Sequence, residues 1–163
     1  MTRVCLVGTE DVTLRYELRT HETAREALAT YDLHEPYANS VAVETVSLGA
    51  AVSLLNDLNW YLVRYVSASL VREDSISRTE WLSRDLARAV RDDEVPPEET
   101  DRFLKVYGVV DPEDGAEEGE ATGAPRLVEP MYVTRTGPEL PAYDLREVSD
   151  TLVVRVTEAE FGA

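Results

Sequence analysis

Between Val46 and Val71 only Asp57 and Arg64 carry a charge, in a 163-residue chain with 32 acidic and 16 basic residues. Those two charges argue against a membrane span. The stretch has to be covered by protein, and its spacing predicts a helix from Ser47 to Val71. Ala51, Leu55, Leu58, Leu62 and Tyr65 fall on one stripe. Val52, Asn56, Asn59 and Val63 form a second stripe, uncharged but half polar. The expected central helix is therefore covered on more than one side, by the rest of the fold or by a second subunit.

The neighbouring segments supply a sheet and further helices. Arg3 to Val7 reads as a short strand. Val12, Leu14, Tyr16 and Leu18 alternate with Thr13, Arg15, Glu17 and Arg19, which predicts a second strand and a hairpin through GTED. Thr20 is placed to cap a helix in HETAREALATY. A loop over DLHEPYANS leads to a third strand at Val41 to Val46. Ser77 and Glu80 make a capping-box pattern, predicting a helix that buries Leu82, Leu86, Ala89 and Val90. Pro97, Glu98 and Glu99 predict a short fourth helix that stops at Gly108.

Residues 111–125 hold six acids, no base and no large apolar side chain, and read as an acidic flexible linker between a 1–110 core and a 126–163 tail. The tail offers strands at Leu127 to Thr136 and Thr151 to Thr157, and Pro130 assigns the first to a sheet edge. So short a tail cannot hold a core alone. The expected fold is one α+β domain with a largely antiparallel sheet, helices on one face, and the C-terminal strands joined to the same sheet.

The net charge of -16 invites two readings, an acidic partner-binding protein or a solubility adaptation to strong salt. The acids are spread over nearly every element, and Lys105 is the one lysine. This favours salt adaptation. Cys5 stands alone, so neither an internal disulfide nor a cysteine-based zinc site is expected. MTRVCLV lacks a long apolar run, and a cytoplasmic location is expected.

Nucleotide, serine-hydrolase and zinc-protease motifs are missing. His21 and His34 have no ligand spacing to anything, and no metal or other cofactor is called for. Two clusters stand out. Asn56, Asn59, Trp60 and Arg64 are polar groups on the long helix, candidates for a binding cleft or a subunit contact. Trp81, Arg84, Arg88 and Arg91 recur at helical spacing, a possible stripe for phosphate, RNA or an acidic partner. Asp85, Asp92 and Asp93 lie beside that stripe and weaken the nucleic-acid reading.

The segments RVCLVGTEDV, REALATYDLHEPY, VSLGAAVSLLNDLNWYLVRYV and EWLSRDLARAV, within about the first 95 residues, resemble an uncharacterised family of small acidic haloarchaeal proteins. The resemblance implies a haloarchaeal cytoplasm and carries over no activity or functional residue. The expected function is a non-catalytic protein-interaction or regulatory module, homodimeric or bound to a protein partner. An RNA- or nucleotide-associated protein, and a small enzyme with a pocket on the long helix, are the alternatives.

Overall fold

The first strand, β1 (Thr2–Gly8), is buried from both sides, as its unbroken apolar run requires. Val4 and Leu6 join one core and Cys5 joins another on the opposite face of the sheet. The computed structural model describes residues 1–111 and 124–162. The other strands are β2 (Ser40–Thr45), β3 (Val66–Glu73), β4 (Trp81–Ser83), β5 (Phe103–Val110), β6 (Arg126–Thr134) and β7 (Asp150–Arg155). They form one sheet in the order β2-β1-β3-β4-β7-β5-β6. All pairings are antiparallel except β4 with β7. The α+β architecture, the antiparallel sheet and the joined C-terminal strands agree with the sequence-based expectation. Pro130 lies in β6, an edge strand.

Five helices lie over the first core: α1 (Leu14–Thr20), α2 (Glu22–Leu28), α3 (Leu48–Asp57), α4 (Asn59–Tyr65) and α5 (Arg84–Arg91). Each contributes apolar side chains at helical spacing, such as Leu14 with Leu18 on α1 and Ala51 with Leu55 on α3. A sixth helix, α6 (Glu158–Phe161), departs from the one-face expectation. Its Phe161 packs on the second core with Phe103 at 5.2 Å between ring centroids. Toward β5 and β6 the first face is covered by residues 143–148 instead of a helix. A Cβ on Gly108 would lie 2.5 Å from Val148 Cγ1, so only glycine admits that cover. The sheet also curls. Ala38, just before one edge strand, donates to the Pro125 carbonyl, just before the other, at 2.8 Å.

Four expected elements take another form, each for a local reason. The alternating segment at Val12 to Arg19 is α1, and no hairpin forms with β1. Leu14 and Leu18, four apart, are buried, whereas Tyr16 is 63% exposed, so the period-2 pattern counted an apolar residue that faces water. The helix expected over Ser47 to Val71 ends at Tyr65, after a break at Leu58, and continues as β3. Successive side chains of that strand, Leu70 and Val71, then enter the two cores. The helix expected from Ser77 starts only at Arg84. Glu80 N–H does donate to Ser77 Oγ at 3.0 Å, but the Glu80 carboxylate turns to Arg135 and Arg155. The true cap is Ser83, whose Oγ accepts from Leu86 N–H at 3.2 Å. The expected fourth helix is a single 3₁₀ turn at Pro97–Glu99 followed by β5, in which Leu104 and Val106 are buried on one face. Of the expected linker, residues 112–123 lie outside the described residues.

Two half-sheets meet where β4 touches β7 through two register pairs, Trp81 with Val154 and Leu82 with Arg155. Charge reinforces this short seam. Glu80 Oε1 accepts from Arg155 Nε at 2.7 Å and its Oε2 from Arg135 Nη2 at 2.6 Å. Arg155 also donates to Thr100 Oγ1 at 2.9 Å. Burial pushes the Glu80 pKa up, but the hydrogen bonds from the two guanidiniums outweigh it and hold the carboxyl below its usual range.

Candidate functional site

Helices α1 and α4 pack against each other. Thr13 offers α1 no side-chain cap, and the role passes to a distant residue. Asn39, at φ 56°, accepts from Leu14 N–H at 2.8 Å. Its amide nitrogen donates to the Thr9 and Val12 carbonyls, both at 2.9 Å. Gly8 leaves room for this, since a Cβ there would sit 2.6 Å from Asn39 Nδ2. The positive φ suits asparagine.

So held, α1 presents Arg15, Tyr16 and Arg19 to solvent. On α4, Trp60 is 48% and Val63 73% exposed. The Arg64 guanidinium lies 3.7 Å from the Trp60 ring centroid and donates to the Trp60 carbonyl at 2.9 Å. His21 links the two helices. Its Nδ1 is 2.7 Å from the Glu17 carbonyl at the end of α1. Its ring packs on Trp60, Tyr61 and Tyr65 at centroid distances of 5.8, 5.3 and 5.9 Å. The result is an aromatic and arginine surface, and α4 itself contains no acid.

The two sequence-derived clusters are rearranged. Asn56 and Asn59 turn to Arg84, which donates to Asn59 Oδ1 at 2.8 Å and to Asn56 Oδ1 at 3.3 Å. Trp60 and Arg64 belong to the aromatic surface, so the four residues of the first cluster do not line one cleft. The second cluster also divides. Trp81 lies on β4, 5% exposed, with Arg72 5.1 Å from its ring centroid, and takes no part in the α5 stripe. Arg91 is tied to Asp92 at 2.9 Å. Among the described residues Arg84 and Arg88 make no ion pair. Partial burial lowers the Arg84 pKa, with Asp85 opposing and Arg88 assisting. His34 is an exposed loop residue whose backbone bridges to Ala42.

A model of a family of unknown function, DUF5804, matches residues 2–109. The chain belongs to that family. No curated protein and no solved structure matches it.

Within the DUF5804 span fall α1, α4, α5 and every residue of both clusters. The span ends inside β5, whose two sheet neighbours, β6 and β7, lie beyond it. The family segment of this chain is thus completed by strands outside the match. Among the described residues no group of three or more His, Cys, Asp or Glu is arranged to hold a metal ion, and no helix is long and apolar enough to cross a membrane. Tyr16, Arg15, Arg19 and His21 were not singled out by sequence. The signal for them was present, since Arg15 and Arg19 are four apart, but it is read only once the segment is known to be a helix.

Proposed function

We propose that this chain is a non-catalytic protein-interaction module that docks an acidic face of a protein partner on the α1–α4 surface. The observation that carries the proposal is the exposure of Tyr16 with Arg15 and Arg19 on α1 and of Trp60 and Val63 with Arg64 on α4, two helices in contact. Tryptophan, tyrosine and arginine are the residues that dominate binding energy at protein interfaces. The arginines match carboxylates. The net charge of -16 opposes an acidic protein face and RNA alike, but contact with a protein also draws affinity from apolar area, which that charge leaves intact. Binding to RNA draws mainly on phosphate neutralisation and has less to offset the repulsion. The separation of Asn56 and Asn59 from Trp60 and Arg64 removes support from a pocket enzyme on the long helix.

A photo-crosslinking residue at Val63, with another at exposed Glu26 as control, tests this in the chain's native cell. A protein captured from position 63 and not from 26, bound at least about tenfold more weakly by R64E and by W60A, is the expected result. Restoration of R64E binding by reversing an acid of the partner completes it. Crosslinks only to a second copy of the chain or only to RNA, or affinity unchanged by both substitutions, overturn the proposal.

A further inference from the structure

A cavity of about 210 Å³ opens at one end of the second core, where β3, β5 and β7 meet the starts of α5 and α6. A cavity of this size admits a small metabolite. Leu70, Val154 and Val156 supply an apolar wall.

Charge in the wall is of both signs. Lys105, the chain's one lysine, lies 5.1 Å from the Tyr107 ring centroid and 5.7 Å from that of Tyr132. It makes no ion pair among the described residues. Burial pulls its pKa down, but Tyr107 and Tyr132 outweigh burial and keep the ammonium charged. Arg84 also lines the cavity, but its guanidinium is turned to the Asn56 and Asn59 oxygens, which lie outside the lining. Asp85 and Glu160 complete the wall. Glu160 uses Oε1 for Ser83 Oγ at 2.5 Å and for Thr157 N–H at 3.0 Å, which leaves Oε2 for a further donor.

We infer that this cavity binds a small zwitterion of amino-acid type, its carboxylate toward Lys105 and its ammonium toward Asp85 and Glu160. An added simple anion would face both carboxylates and a chain of net charge -16. A simple cation would face Lys105. A zwitterion meets both signs with partners and carries no net charge for the protein's field to oppose. The inference stands on a different part of the molecule from the α1–α4 docking surface and does not depend on it.

Titration calorimetry on the full chain with L-valine and L-leucine tests this, with isovalerate and isobutylamine as probes bearing one charge each. The amino acids are expected to bind, and each single-charge probe to bind at least about tenfold more weakly. Lys105→Met and Asp85→Asn should each weaken amino-acid binding by about tenfold or more. Asp85 is exposed, so D85N keeps the fold even where K105M does not. Isovalerate binding as tightly as valine, no saturable binding of either amino acid up to about 10 mM, or wild-type affinity in D85N overturns the inference.

Discussion

The two faces of the sheet are built by different means. The buried residues of the core under the helices all lie between Val4 and Val90, with leucines of successive helices such as Leu14, Leu55, Leu62 and Leu86 closing over β1, β2 and β3. The opposite core joins Cys5 and Ala42, near one end of the chain, to Val109, Leu152, Val154 and Val156, near the other. One face is therefore sealed by local amphipathic segments. The other is sealed by strand register and sheet curl, and it is the face on which a cavity opens.

The largest expected effect tests that distinction directly. Leu55 is fully buried between α3 and the sheet, so Leu55→Ala should cost about 2–5 kcal/mol of stability, the range for a leucine whose surroundings cannot collapse. Leu152→Ala, on the less sealed face, should cost roughly half as much, because neighbours such as Tyr107 and Leu127 are only partly buried and can close the gap. Denaturant midpoints at constant slope measure both. Equal costs would break the comparison, since they would mean that the second core is packed as rigidly as the first.

Next in size is the seam. Glu80→Gln removes the carboxylate that serves both Arg135 and Arg155 and should cost about 2 kcal/mol at neutral pH. The sign with pH follows from the lowered pKa. The folded carboxyl holds its proton less tightly than the unfolded one, so its stabilisation is complete above the unfolded value of about 4.3 and disappears as pH falls through the lower folded value. The gap between wild type and E80Q should therefore narrow on acidification. A gap that is constant from neutral pH into the acid range would assign the cost to packing and not to charge.

Much of this architecture was legible in the sequence, and the failures share one cause. β1, the body of α2, β2 and the two C-terminal strands carry patterns that local rules read correctly, and Pro130 marked an edge, but Thr20, expected to cap α2, ends α1 and donates to the Glu17 carbonyl. The segments misread were those whose partner lies far away. Val66 to Val71 continues a helical stripe in sequence but is claimed by β1, some sixty residues earlier, through pairs such as Cys5 with Leu70. Phe103 to Val110 looked like a helix between Pro97 and Gly108, yet it sits between β6 and β7. Asn39 could not be recognised as the cap of α1, because the groups it bonds are 25 to 30 residues away. The proposed docking surface followed the same pattern. Trp60 and Arg64 were found, while Tyr16 and Arg19 stayed hidden inside a supposed strand.

The smallest expected effect concerns two serines that the sequence could not rank. Ser77 has the capping-box spacing and accepts from Glu80 N–H, but it caps no helix. Ser83 accepts from Leu86 N–H at the start of α5 and donates to Glu160 of α6, so it ties the first face of the sheet to the second. Ser83→Ala should cost about 1 kcal/mol, and Ser77→Ala about 0.5 kcal/mol or less. Hydrogen exchange separates the contributions, because the Ser83 change should raise exchange in the first turn of α5 and in α6 together. If Ser77→Ala instead releases α5, the helix begins earlier than Arg84 and the short β4 seam loses its geometric basis. If Ser83→Ala leaves α6 untouched, the two faces of the sheet are coupled by Glu80 and strand pairing alone.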